Sequence, residues 1–293
     1  MQKGKRVKRG IPWRRLVFFA LLAVFLFSGG NLIYHALEYR QGEETYHEAE
    51  ELVKLPDFSS LPTPTPVPTA SPTPTPDPAE SESVPPEESV EPTPTPTPYI
   101  DPYADALNAM DFTALREANP QVVGWILIPG TTVSYPLLQA EDNTYYLNHT
   151  WKGRWSSVGA IFLECQSSPD LSDFHTIIYG HNMRNRTMFG SLREYRREGY
   201  WEQHPEICLI DDEGVHYYDI FAAWEPRVTD APFSPDVTTE KGRQSFLDTA
   251  LRRSAIHTGV EPTVDSEILT LSTCTGVGHA TRWVIQAALR TEE

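Results

Sequence analysis

Ile268-Leu-Thr-Leu-Ser-Thr-Cys274 and, seven residues further on, Arg282-Trp-Val-Ile-Gln-Ala-Ala-Leu289 are the two stretches whose reading decides the fold. Both are rich in β-branched and aromatic residues, as strands are. Successive strand side chains point to opposite faces, which puts Thr270, Ser272 and Cys274 on one face and Leu269 and Leu271 on the other. In the second run Trp283, Ile285 and Leu289 share a face, opposite Arg282 and Gln286. Antiparallel pairing about Gly278 sets Thr273 against Trp283, Leu271 against Ile285 and Cys274 against Arg282. Registers shifted by two keep the same faces.

Working outward, similar short runs recur at Val122–Ile128, Val133–Leu138, Val158–Leu163, His175–Tyr179, Ile207–Ile210 and Val215–Trp224. Turn signals such as Pro129-Gly130 and Asp211-Asp212-Glu213-Gly214 separate them. Helical spacing predicts helices over Ala104–Ala118, Met188–Arg197 and Asp236–Ile256, the last with Phe246, Ala250 and Leu251 as a packing stripe. The expected fold is mainly β: a closed antiparallel barrel with an N-terminal helix and a helical insert before the last two strands.

The chain has 293 residues and a formal net charge of −16. That average hides a basic start, residues 1–15, with Lys3, Lys5, Arg6, Lys8, Arg9, Arg14, Arg15 and no acid. The acidic body excludes nucleic acid as the main partner, because phosphate binding needs clustered Lys and Arg. Residues 16–34 form an apolar run of roughly 28 Å as a helix, enough to cross the hydrocarbon core. Basic residues ahead of it predict a single-pass anchor in the cell membrane, N-terminus in the cytoplasm and the rest outside. A cleaved signal peptide is the competing reading, with Ser28-x-Gly30 as the small-residue site. Residues 35–55 read as a charged juxtamembrane helix. Residues 56–102 are Thr-Pro repeats with Glu and Asp and no Lys or Arg. They are expected to form a disordered linker, reaching about 140 Å if fully extended as polyproline II. A ligand for a proline-binding module is the alternative. Residues 103–293 are left as the folded domain.

Cys165, Cys208 and Cys274 are too few for a disulfide scaffold. The first two read as buried strand thiols, with a mutual disulfide as the alternative outside the cell. A thiol beside a guanidinium suits acyl transfer: the cation favours the thiolate, and its N–H groups can meet a developing oxyanion. A group must also protonate the leaving amine. Among nine His residues, His181 stands where the run Ile177-Ile-Tyr-Gly-His-Asn-Met leaves a strand for a loop. His279 rivals it by proximity to Cys274. His175 and His181 share a strand parity, a weak hint of a metal pair.

Thr270-Leu-Ser-Thr-Cys-Thr followed by Arg282-Trp-Val-Ile-Gln, together with Tyr179-Gly-His-Asn-Met and Met188-Phe189, resembles the signature of the sortase family. Asn119-Pro-Gln-Val-Val-Gly-Trp-Ile-Leu-Ile, Tyr135-Pro-Leu-Leu-Gln and Asp142-Asn-Thr-Tyr-Tyr-Leu147 are similar to the N-terminal block of class B members. The likeness spans about residues 105–291. It implies a cysteine transpeptidase that cleaves a C-terminal sorting signal after Thr on exported proteins, with Asn-Pro-x-Thr-like signals as family precedent. Cys274 is then the nucleophile, His181 the proton donor and Arg282 the oxyanion partner. Asn143, Leu147, Tyr179 and Ser272 match positions that line the substrate groove. The implied partners are sorting-signal proteins and a peptidoglycan amine, which together anchor proteins to a Gram-positive cell wall. No metal or organic cofactor is implied. Alternatives are a pilin polymerase using a Lys acceptor, a non-catalytic peptide-binding surface domain, and an ordinary cysteine protease. Arg184 and Arg186 make the loop after His181 more basic than the family pattern, as a solvated loop or as a contact for an acidic acceptor or substrate.

Overall fold

The computed structural model describes residues 13–55, 103–230, 232–233, 237–275 and 280–291. Most of the basic start, the Thr-Pro segment and His279 lie outside the described residues.

The described residues open on one long helix, α1 (Trp13–Val53), followed by two short ones, α2 (Ala104–Asn108) and α3 (Thr113–Ala118). A single helix was expected over 104–118. Asp111 Oδ1 accepts the Thr113 backbone N–H at 2.9 Å, and such local side-chain capping ends one helix and starts the next. The strands are β1 (Val122–Leu127), β2 (Ser134–Leu138), β3 (Ile161–Leu163), β4 (His175–Tyr179), β5 (Glu206–Asp211), β6 (Gly214–Trp224), β7 (Ile268–Cys274) and β8 (Arg282–Leu289). The run expected from Val158 starts late because Gly159 has φ +63°, a left-handed conformation that no extended strand contains. The helix expected over 188–197 is a 3-10 segment, Gly190–Arg196, followed by the single turn α4 (Tyr200–Gln203). The insert before the last two strands is α5 (Glu240–Arg253), capped by Thr239, whose hydroxyl accepts the Gly242 N–H.

Eight strands close in the order β1-β2-β3-β4-β7-β8-β6-β5. The closed barrel is as expected, but it is not wholly antiparallel: β2 with β3 and β4 with β7 run parallel. Long crossovers, which parallel neighbours require, account for both. β7 and β8 pair in the register read from the sequence, Thr273 with Trp283, Leu271 with Ile285 and Cys274 with Arg282.

That register sorts the last strands between two cores. Leu269, Leu271, Trp283, Ile285 and Ala287 point into the main core. Ile268, Val284 and Ala288 face outward beneath α5, packed with Phe246, Leu247, Ala250 and Trp224. The main core also reaches back into α1. Tyr46, Ala49 and Val53 are buried together with Tyr103 and Leu107, and a buried Val alone contributes about 1.5–3 kcal/mol.

His175 shows what the covered end of this outer face is like. Its Nε2 lies 2.8 Å from Thr270 Oγ1 and its ring 4.7 Å from that of Phe246. Burial pushes its pKa down to about 3. Below the ordinary His value the unfolded chain takes up a proton that the native fold refuses, so stability falls as pH drops from about 6.5 toward 3. The slope is about 1.4 kcal/mol per pH unit at most. His175→Gln keeps a polar partner for Thr270, and urea titrations between pH 4 and 7 should show it lacking that increment of acid sensitivity.

Candidate active site

The face that α5 covers at one end opens at the other. Along it β4, β7 and β8 set His175, Ile268 and Ala288 in one row, and Ile177, Thr270 and Gln286 in the next. Tyr179, Ser272 and Val284 follow, and Cys274 and Arg282 form the last pair. The first rows are sealed by side chains and by buried hydrogen bonds from Gln286 Nε2 to Thr270 Oγ1 and from Trp224 Nε1 to Gln286 Oε1. The last pair is only partly buried. The nucleophile candidate therefore stands at the rim of a rigid wall, the placement that precise chemistry requires.

Both ends of the Cys274–Arg282 pair are tied down. Asn182 Nδ2 donates to the Cys274 carbonyl at 2.6 Å, which fastens the loop after β4 to the end of β7. The Arg282 backbone N–H donates to Pro226 O at 3.0 Å, and Val228 N–H to Ala280 O at 3.0 Å. The segment after β6 thus braces the start of β8. Thr275 and Thr281 hydroxyls meet at 3.1 Å across the base of the connecting loop.

His181 lies two residues beyond Tyr179, outside the strand. Its Nε2 donates to the Leu147 carbonyl at 2.6 Å. A carbonyl oxygen only accepts, so Nε2 carries a proton here. Tyr179 packs its ring 5.4 Å from Phe162. Burial pushes its phenol up to about 12, with Glu164 acting in the same direction and the Arg282 charge opposing. The Ser272 hydroxyl is buried and has no hydrogen-bond partner among the described residues.

Asn143 and Leu147 come from the loop after β2. Asn143 is spent on structure at both ends of its amide: Nδ2 donates to Glu164 Oε1 at 2.6 Å, and Oδ1 accepts from Cys165 N at 2.8 Å. Leu147 presents an exposed side chain beside exposed Tyr145, so the loop offers an apolar rim as well as the carbonyl for His181.

Of the seven candidate residues, Tyr179, Ser272, Cys274 and Arg282 share one continuous face, and Asn182 links His181 to it. Asn182, Glu164 and Gly159 were not singled out by sequence reasoning. Asn182 was within reach of it, as the neighbour of His181. Glu164 and Gly159 carried no local signal. An added Cβ on Gly159 would lie 2.9 Å from both His181 Cδ2 and the Leu147 oxygen, and only the fold reveals that.

Two expectations change. Cys165 is not a strand thiol: it stands past the end of β3, partly buried, while Cys208 is buried in β5. Both are free thiols, so no disulfide joins them. The basic loop is partly neutralised, with Arg186 Nη2 3.4 Å from Glu194. Among the described residues no three His, Cys, Asp or Glu side chains gather as a metal-holding group. The apolar stretch Arg15–Tyr34 of α1, wholly unburied, is long and apolar enough to cross a membrane.

The sortase domain family matches residues 126–290. Sortase B of Staphylococcus aureus (strain NCTC 8325 / PS 47) is 33% identical over 163 residues, covering 56% of this chain and 67% of the relative. Sortase B of Listeria monocytogenes serovar 1/2a (strain ATCC BAA-679 / EGD-e) is 31% identical over 160 residues, covering 55% of this chain and 65% of its own length. The chain thus spans about two thirds of each curated relative. Among solved structures, a Staphylococcus aureus sortase B–substrate complex superposes with a TM-score of 0.58 at 31% identity, covering 62% of this chain and 85% of that one.

Proposed function

The chain belongs to the sortase family of cysteine transpeptidases, and from that premise we propose that it cleaves a sorting signal after Thr on an exported protein and passes the acyl group to a peptidoglycan amine. The pairing of Cys274 with Arg282 at the open end of the outer face carries the reading. The Cys274 thiolate attacks the Thr carbonyl, and the resulting oxyanion is met by the Arg282 guanidinium. Collapse breaks the C–N bond as His181 gives a proton to the departing amine, leaving a thioester on Cys274. An incoming primary amine attacks the thioester, His181 takes its proton, and the thiolate is released. Atoms balance without any further reactant. Tyr179 and Leu147 border the cleft in which the signal peptide lies, and Ser272 is buried in its wall. Asn143 supports that cleft through Glu164 and Cys165 rather than by reaching out with its whole amide.

The apolar part of α1 anchors the enzyme in the cell membrane with the catalytic body outside. Basic residues before the span and none of that density after it favour this orientation.

Arg282 supplies the first test. A planar guanidinium can donate two parallel N–H bonds where an ammonium donates one. Arg282→Ala should lower kcat/KM for a sorting-signal peptide by about 10²–10³-fold. Arg282→Lys should recover only part of that loss. Lysine matching the native enzyme would remove the oxyanion role.

A further inference from the structure

The imidazole of His181 is held from outside the barrel, by one loop. The Leu147 carbonyl accepts its Nε2–H, and its ring edge lies against Gly159, whose φ of +63° and missing Cβ permit the approach. The same loop runs from Tyr146 to Ala160, whose N–H donates to Tyr146 O at 2.9 Å. Asn119 Nδ2 donates to the Trp151 carbonyl of this loop at 2.6 Å, and α1 supplies further contacts that fix it. Tyr46 Oη donates to the Gly159 carbonyl at 2.6 Å, across 113 residues of chain. Trp151 Nε1 donates to Thr45 O at 2.7 Å, and Lys152 pairs with Glu48. Gly42 lies flat on Val158, where an added Cβ would come within 2.9 Å of Cγ2.

We propose that Tyr46 is a positioning residue for His181: by holding Gly159 it holds both the surface under the imidazole and the carbonyl that orients it. Burial pushes the Tyr46 phenol well above its ordinary pKa, so it remains a donor throughout the working range. A second consequence concerns the Thr-Pro segment. Val53, before it, and Tyr103 and Leu107, after it, belong to one core. Residues 56–102 therefore connect two parts of the same body. They do not separate the catalytic body from the apolar span, which α1 joins to it directly. The inference rests on the catalytic role of His181 given above.

The test uses the full chain in detergent micelles, with peptide-cleavage kinetics across pH and proton NMR of the His181 ring. Tyr46→Phe keeps the packing and removes the donor. It should lower kcat on the order of tenfold with KM nearly unchanged, and shift the His181 titration seen by NMR. Tyr46→Ala should cost more, through lost packing as well. Replacing residues 57–101 by a Gly/Ser segment of the same length should leave kinetics and titration at wild-type values. A Tyr46→Phe enzyme with wild-type kcat and an unmoved titration overturns the proposal. So does a loss that only mirrors the unfolded fraction in a thermal melt. An inactive linker variant overturns the placement of 56–102. If the wild type neither cleaves nor acylates while the NMR shift is present, the fault lies in the catalytic reading and not in the contact between Tyr46 and the loop.

Discussion

Cys274→Ala should abolish cleavage of a sorting-signal peptide, by at least about 10³-fold, with the thermal midpoint essentially unchanged. The two halves of that result have separate causes. The thiol is the only group in the mechanism that forms a covalent bond, and no neighbouring side chain can replace it. Its stability contribution is small, because Cys274 ends β7 at a partly buried position and its strand is held by backbone pairing with Arg282 and by Asn182. The other cysteines serve as internal controls. Cys208 is buried in β5, so Cys208→Ala should lower stability and leave the kinetics of the folded fraction intact. The Cys165 thiol is pushed up by burial and then by Glu164, which leaves less of it as the thiolate that attacks. A turnover loss in Cys165→Ala that equals the loss in Cys274→Ala would reverse the assignment.

His181→Ala should lower kcat by about 10²–10⁴-fold, with KM changed far less. The leaving amine needs a proton at the moment the C–N bond breaks, and the side chain acts chiefly in that transition state. The bell-shaped pH profile of kcat/KM should lose one limb at the same time. His279, in the loop between Cys274 and Arg282, sharpens the comparison: His279→Ala should stay within a few-fold of wild type. If His279→Ala lost more than His181→Ala, the proton donor would be in the β7–β8 loop, and the tie from Asn182 to Cys274 would be purely structural.

The parts of this molecule that were legible in the sequence are those governed by alternation. The faces of β7 and β8, their register about Gly278, and the pairing of Cys274 with Arg282 all follow from a period of two between two strands joined by a short loop. β4 was legible for the same reason, and with it the exit of His181 into a loop. What alternation cannot express is contact between segments far apart in the chain. Gly159 read only as part of a strand, yet its positive φ ends that strand and makes room for His181. Residues 35–55 read as a charged helix leading into a spacer, because Tyr46, Ala49 and Val53 are scattered among glutamates. Their burial depends on a surface assembled from the rest of the chain, β2 and α3 included. The parallel pairings β2 with β3 and β4 with β7 were hidden likewise, since strand parity carries no direction. A fragment beginning near residue 100, which composition alone would recommend, omits the helix that holds the His181 loop.

Mass spectrometry of the full chain, incubated with sorting-signal peptides in the presence and absence of a primary amine, tests the central claim most directly. The account predicts an acyl adduct on Cys274 that ends at Thr, accumulates without amine and is converted to an amide product when amine is added. Cleavage that proceeds with no adduct on Cys274, or an adduct that water resolves equally fast whether or not amine is present, would contradict it.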